Sequence, residues 1–350
     1  FTPILSFSQT YTGSLTLNSQ GDIDAFAYTE VTGTLSIIDN GSGLPITSLS
    51  GLSELITVGE SFIIKNNTSL TSLSGLDNLS SVGGGLGISN TNITSFKEMT
   101  SLTSIGGGLG VSHNDVLQSL EGLEQITLKG LSLSENKALQ SVSGLNNLTS
   151  INGSMHIERN DQLTSIADFS KLTSISPGSG VVSFKHNKAL TSLKGLDATS
   201  FEYDVSLEIS NNASLTSLSG LDNLENIEGS LTIEKNSNLV SLEGLEKLTR
   251  VRDLLTVWEN DALTSLDGLD GLTTVLDDVN IDYNYSLVSI AGLSSLTTLG
   301  RDFILRAGNM LPNLSGLEGI SSIPGSLLIG GVESLEGLNN LTSVGNCIEI

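Results

Sequence analysis

Five aspartates in the C-terminal part of the chain have a spacing that suits joint chemistry. They are Asp253, Asp277, Asp278, Asp282 and Asp302. Paired carboxylates serve as acid and base in polysaccharide-cleaving enzymes, and carboxylate oxygens are ligands for Ca²⁺. Asp278 and Asp302 occupy equivalent places one repeat apart, which makes them the candidate calcium ligands. Calcium is the one cofactor that the sequence suggests.

A second group of side chains is suited to ligand binding rather than to catalysis. Trp258 is the single tryptophan of the chain, and Tyr283 occurs near the equivalent place one repeat later. Tryptophan, tyrosine and arginine are enriched among the residues that dominate the energy of protein interfaces. The candidate ligand-binding residues are Trp258, Tyr283, Asp282, Glu234, Arg306 and His156.

The sequence has few residues arranged for catalysis. No H-E-x-x-H, G-x-S-x-G, C-x-x-C or P-loop pattern occurs. The glycine runs 83–87 and 106–110 have the composition of a phosphate cradle, but no helix is expected after either. Cys347 lacks an evident base nearby. We therefore expect no catalytic residues and a protein that is not an enzyme.

The composition excludes several classes of partner. The chain has 350 residues, 15 Lys and Arg against 38 Asp and Glu, and a formal net charge of −23. Phosphate backbones and anionic lipids repel such a chain, so we expect no nucleic-acid partner. No apolar run reaches the roughly 18 residues of a membrane span, so we expect no membrane insertion. A single cysteine allows no disulfide within the chain.

An internal repeat of about 24 residues explains how these side chains are positioned. Three consecutive blocks, 216–239, 240–263 and 264–287, follow the consensus T-S-L-x-G-L-x-x-L-T-S-I-x-G-x-L-x-I-x-x-N-x-x-L. A period in this range with leucine at fixed offsets is typical of a solenoid. The G-x-L-x-I part alternates apolar and polar residues, which predicts one short strand per coil with one face buried.

Glycine, serine and asparagine recur at fixed places in the turns of the repeat. Leucines at three-residue spacing around a central glycine predict tight corners instead of a regular helix. An asparagine follows the strand in most coils, and its amide can pair with backbone groups of its own and the adjacent coil. We expect the asparagine and serine columns to be structural. The asparagine column comprises Asn67, Asn114, Asn136, Asn160, Asn187, Asn212, Asn236, Asn260 and Asn284.

The repeat resembles the receptor L-domain branch of leucine-rich repeats, in particular the arrays of secreted bacterial surface proteins. The likeness covers about residues 12–350 and depends on the G-x-L-x-I-x-x-N core. It implies an all-β solenoid, a right-handed parallel β-helix with coils of about 24 residues. Receptor ectodomains carry flanking cysteine-rich modules, which this sequence lacks, so the likeness does not imply a hormone receptor.

We expect one solenoid domain over residues 1–350. Residues 1–46 form an N-terminal cap with the first coils, and residues 47–350 form the regular repeats. The last residues stop inside a strand, so we expect either that the native chain continues or that a partner covers the open edge. A secreted or cell-surface location is expected, with a signal peptide already removed.

These observations predict a non-enzymatic binding or adhesion module that uses the exposed face of its parallel sheet. The expected partner is a protein or a glycan at a cell surface, and the oligomeric state is open. One alternative is a β-helix polysaccharide-active enzyme that uses the aspartates. Another is an ice-binding protein, because a column of threonines precedes the serine column.

Overall fold

The computed structural model describes residues 9–41, 43–176, 180–201 and 204–350. Over these residues the chain winds as a solenoid in which each coil adds one strand to a 15-stranded parallel sheet, here called the main sheet. Leu231 pairs with Leu255 and Leu255 with Val279, so consecutive strands are 24 residues apart at this point. The predicted parallel solenoid of leucine-rich repeats is confirmed. Its strands are Leu15–Leu17, Leu35–Ile38, Phe62–Lys65, Leu86–Ser89, Gly108–Ser112, Gly130–Ser134, Met155–Glu158, Val181–Lys185, Ser206–Ser210, Leu231–Glu234, Leu255–Trp258, Val279–Asp282, Phe303–Leu311, Leu327–Val332 and Ile348–Glu349.

A two-residue strand comes before the main strand in most coils, where the repeat reads T-S-I. These short strands pair in parallel and form four narrow sheets within the described residues. They are Thr10–Tyr11, Glu30–Val31, Thr57–Val58, Ser81–Val82 and Ser104–Ile105, then Ser150–Ile151, Ser174–Ile175 and Ser200–Phe201, then Asn226–Ile227, Arg250–Val251, Thr274–Val275 and Thr298–Leu299, and finally Ser322–Ile323 and Ser343–Val344.

Helices are short and rare in the described part of the chain. One α-helix, Gln20–Asp24, lies in the first coils, and Ser19 and Asp22 form a capping box at its start. Three single 3₁₀ turns occupy the leucine corner, at Ser50–Leu52, Ala167–Phe169 and Ala291–Leu293. None of these helices is long and apolar enough to cross a membrane. The division into a cap and regular repeats stays a prediction, and residues 1–8 of the cap lie outside the described residues.

The core is a continuous stack of leucine, isoleucine and valine side chains inside the coils. In the coil that begins at Leu231, the leucines at positions 242, 245 and 248 are fully buried. Their turns close by short backbone hydrogen bonds, with Leu248 N donating to Leu245 O at 2.9 Å. Burial of each such side chain stabilises the fold by about 1.5–3 kcal/mol. The leucines at three-residue spacing therefore form the tight corners that the sequence predicts.

The central glycine of the leucine corner is required by backbone geometry. Gly244 has φ +110°, and a Cβ atom there would lie 2.4 Å from the Leu218 carbonyl oxygen. Its N–H donates to Glu246 Oε1 at 3.0 Å. Gly51 differs, because it lies in a 3₁₀ turn and its φ is not positive. There the close carbonyl of Ile23, 2.0 Å from an added Cβ, excludes a side chain.

The buried asparagine column connects successive coils, as the sequence predicts. Asn236 Nδ2 donates to the Ile209 carbonyl at 2.9 Å in the preceding coil and to Asn260 Oδ1 at 3.3 Å in the next. Its own Oδ1 accepts the Asn212 backbone N–H at 3.0 Å. Thr91 takes the same place in one coil and donates its hydroxyl to Asn114 Oδ1 at 2.7 Å. The column therefore satisfies buried polar groups of three coils at once.

Replacing Asn236 by alanine tests the ladder. The change removes a fully buried amide and leaves the Ile209 carbonyl and the Asn212 N–H without their partner. Each buried polar group left unpaired costs about 1–3 kcal/mol, so we expect a loss of about 2–4 kcal/mol in the free energy of unfolding. Chemical denaturation measures it.

The matched control is Asn238→Ala, two residues further along the same coil. Asn238 is exposed and donates one hydrogen bond, to the Ala213 carbonyl. We expect its loss to change the unfolding free energy by less than about 1 kcal/mol. Equal effects of the two substitutions would contradict a structural ladder.

Candidate binding surface

Five of the six predicted ligand-binding residues lie together on the outward face of the main sheet. Trp258 is paired with Glu234 on one neighbouring strand and with Asp282 on the other. Asp282 is in turn paired with Arg306. Tyr283 follows Asp282 directly, at the corner where the strand ends. The register of the repeat is sufficient to bring these residues together.

Three aromatic rings and a lysine form the centre of this group, here called the aromatic cluster: Trp258, Tyr283, Tyr285 and Lys235. The Trp258 and Tyr283 rings meet edge to face, with centroids 6.0 Å apart, and Tyr285 lies 6.3 Å beyond. Lys235 Nζ lies 4.3 Å from the centroid of the Trp258 ring, in a cation–π contact. Tyr283 and Tyr285 are 43% and 47% exposed, so the cluster offers apolar surface to a partner.

The backbone holds Tyr283 in the left-handed region, at φ +53°. Large side chains are uncommon there because the Cβ atom is crowded. Tyr283 belongs to a column of ten non-glycine residues with positive φ, one immediately before each buried column residue and here called the corner column. The sequence reasoning missed this column. Its members are Asn66, Asn90, His113, Glu135, Arg159, His186, Asn211, Lys235, Glu259 and Tyr283.

Asp282 has a structural role beside the aromatic rings. It is only 5% exposed, and its Oδ1 accepts the Tyr283 backbone N–H at 2.9 Å. Its Oδ2 accepts from Arg306 Nη1 at 3.4 Å. The carboxylate therefore fixes the corner that presents Tyr283, and Arg306 balances its charge. Arg306, about half-exposed, is the partner that remains accessible to a ligand.

His156 lies four strands away from Trp258 on the same sheet and is not part of the aromatic cluster. Its Nδ1 is 2.8 Å from Ser183 Oγ, and that hydroxyl donates to Glu158 Oε1 at 2.8 Å. Because the hydroxyl proton goes to Glu158, the Nδ1 of His156 is the donor to Ser183.

A shallow groove of about 460 Å³ crosses the main sheet beside His156. Its floor includes Gly87 and Gly110, where an added Cβ atom would meet nothing within 4 Å. The packing of the fold therefore does not require glycine at these two places. Both glycine runs enter strands of the sheet, so the structure does not form a phosphate cradle at a helix start.

Asp278 and Asp302 stack in one outward column, and both carboxylates accept hydrogen bonds from backbone N–H groups. Asp278 Oδ1 accepts the Asp302 N–H at 2.9 Å, and Asp302 Oδ1 accepts the Ser326 N–H at 2.7 Å. Arg301 pairs with Asp277 at 3.1 Å and lies 3.8 Å from Asp278. No group of three or more His, Cys, Asp or Glu among the described residues is arranged to hold a metal ion. Calcium binding at the pair stays a prediction.

Two further arginines near the aspartates in sequence pair with other carboxylates. Arg250 contacts Glu228 at 3.1 Å, and Arg252 contacts Asp204. Arg301 pairs with Asp277, whereas Arg250 pairs with a glutamate of the adjacent coil and Arg252 with an aspartate 48 residues earlier in the chain.

A charged cleft of about 200 Å³ lies at the corner column in the middle of the solenoid. His186 is half-buried in it. Burial lowers the pKa of the His186 imidazole, and the charges of Arg159, Lys185 and Lys188 lower it further, against the opposite effect of Glu158. The cleft is lined by Glu135, Lys137, Arg159, Asp161, His186 and Lys188.

Comparison with solved structures finds chains that are similar to this one. One of them is an internalin from Listeria monocytogenes, 14% identical to this chain, with a TM-score of 0.31. The alignment covers 93% of this chain and 88% of the internalin. No protein-family model matches the chain, and no curated protein matches its sequence. The assignment of the fold therefore rests on the coil register of the chain itself.

The pKa of His186 is open to direct measurement. We expect NMR titration of the imidazole to give a pKa below 6.5, because burial and three nearby cations disfavour the charged ring. The unfolded chain binds this proton more readily than the folded chain. The His186 contribution to stability is therefore unfavourable at acid pH and disappears as the pH rises through 6.5.

Arg159→Gln should raise the pKa of His186, because it removes the cation that contributes most after burial. Arg252→Gln, at a separate ion pair, should leave that pKa unchanged. A His186 pKa above 6.5 in the unaltered chain would contradict the description of the cleft.

Proposed function

We propose that this chain is a non-enzymatic module that binds a protein partner at a cell surface through the aromatic cluster. The observation that carries the proposal is the arrangement of three adjoining rings beside Lys235, with Trp258 partly buried and Tyr283 and Tyr285 about half-exposed. Tryptophan and tyrosine contribute large contact areas with few rotatable bonds, which is why they dominate binding energy at interfaces.

Charged side chains surround the rings as a polar rim. Glu234 and Arg306 occupy the strands on either side, and Glu259 lies 3.7 Å from Lys235 at the corner. A central apolar patch with a charged rim is the usual anatomy of a protein interface. The parallel sheet holds these groups at fixed spacing, so little ordering entropy opposes binding.

The secreted or surface location belongs to the proposal as well. Its support is the resemblance of the repeat to arrays of secreted bacterial surface proteins. The net charge of −23 is consistent with a chain that stays soluble without a membrane partner.

The carboxylates and threonines give less support to the two alternatives. Asp278 and Asp302 each accept a hydrogen bond from a backbone N–H through one carboxylate oxygen. This favours a structural role over acid and base catalysis. In the threonine column, Thr164 and Thr264 donate their hydroxyls to carbonyls of the preceding coil, and exposed Val240 and Val288 interrupt the row. An ice-binding face needs an uninterrupted row of hydroxyls.

An array of surface proteins and glycans, probed with the purified chain, tests the proposal. We expect a protein hit that Trp258→Ala and Tyr283→Ala each weaken by at least about tenfold, since truncation of a central aromatic residue costs about 2 kcal/mol or more. Surface plasmon resonance then measures the affinity.

The control is Val116→Ala, an exposed apolar residue six strands away from Trp258. It should bind with the affinity of the unaltered chain. Equal loss in the control, or a protein hit that neither aromatic substitution weakens, would overturn the aromatic cluster as the binding site.

A further inference from the structure

Positive charge is concentrated in the middle of this acidic chain. Residues 129–194 contain seven Lys and Arg against four Asp and Glu, a net charge of +3, whereas the whole chain carries −23. The aromatic cluster lies outside this segment. The middle coils therefore form a region with a different electrostatic preference from the rest of the solenoid.

The charged cleft lies within this region and spans three successive coils. Glu135, Arg159 and His186 line it from the corner column, with φ of 56°, 55° and 54°. Each is followed two residues later by a second charged residue of the cleft: Lys137, Asp161 and Lys188. Glycine fits a positive φ with less strain, yet all three coils carry large polar side chains there.

Ion pairs satisfy most of the charges in the cleft. Lys137 contacts Asp115 at 2.7 Å, Lys188 contacts Asp161 at 2.9 Å, and Glu135 contacts His113 at 3.1 Å. The Arg159 guanidinium makes no ion pair or hydrogen bond with any residue that the structure describes. Its five N–H donors are thus directed to a ligand or to solvent, beside a half-buried histidine.

We propose that this cleft binds a sugar ring that bears a carboxylate, such as a uronic acid unit of a glycan. Arg159 would hold the carboxylate through two parallel hydrogen bonds, the geometry that guanidinium groups favour. Glu135 and Asp161 would accept hydrogen bonds from the hydroxyls of the ring. The ring nitrogens of His186 would form hydrogen bonds with the remaining hydroxyls.

The charged cleft is lined by both positive and negative side chains, which favours a uronic acid over other anions. A phosphate dianion would bring two negative charges close to the carboxylates of Glu135 and Asp161, which repel it. A carboxylate-bearing sugar provides one negative charge together with several hydroxyl donors. The volume of about 200 Å³ suits one ring, whereas an extended acidic peptide needs a longer groove. The inference is independent of the proposed protein interface.

Titration of the full chain with D-glucuronate, followed by NMR at the His186 imidazole and by calorimetry, tests the proposal. We expect saturable binding in the millimolar range, because one ring makes few contacts. D-glucose at the same concentrations should give no saturable shift. Arg159→Gln should weaken glucuronate binding by about tenfold or more, whereas Arg159→Lys should retain part of the affinity.

Two controls separate this site from the aromatic cluster and from general charge. Trp258→Ala and Arg252→Gln should bind glucuronate as the unaltered chain does, and circular dichroism should show each variant folded. Tighter binding of inorganic sulfate, inorganic phosphate or a poly-glutamate peptide than of glucuronate would overturn the sugar assignment. Absence of any saturable glucuronate shift would overturn the site.

Discussion

The structure depends on the hydrogen bonds of the buried asparagine column. Every asparagine of the column donates its amide to a carbonyl of the preceding coil, and six of the nine also donate to the asparagine of the next coil, as Asn236 does with Ile209 and Asn260. A slip of one residue in any coil would leave several buried polar groups unpaired at about 1–3 kcal/mol each. The ladder therefore fixes the register, and the register fixes every outward column of the main sheet.

The same constraint explains why candidate binding side chains lie at one corner. To turn the asparagine inward, the residue before it adopts positive φ, and its backbone N–H bonds to the next coil, as Arg159 does with Lys185 at 2.8 Å. The side chains of that residue are then free of the core. Arg159 and Tyr283 both occupy this position, immediately before Asn160 and Asn284. The corner column therefore contributes side chains to both the charged cleft and the aromatic cluster.

Sequence periodicity was sufficient to predict the fold and to place much of the aromatic cluster, because both follow from a repeat with one strand per coil. It placed Trp258 beside Glu234 and Asp282 correctly. It did not reveal the corner column, since asparagine, histidine, glutamate, lysine and tyrosine share no obvious type. The positive φ of the corner column places Lys235 against the Trp258 ring and Arg159 in the charged cleft. His156 was grouped with Trp258 by type, although four strands separate them.

In-register stacking of the coils is the central claim, and a distance between two spin labels tests it most directly. Gly87 and Thr256 occupy the same outward column, seven strand steps apart, and a side chain at Gly87 meets no neighbour within 4 Å. With Cys347→Ser, labels at Gly87→Cys and Thr256→Cys should give one narrow distance distribution near about 34 Å, from a strand spacing of about 4.8 Å. A broad distribution, or one displaced by more than about 10 Å, would contradict the stacking on which both sites depend.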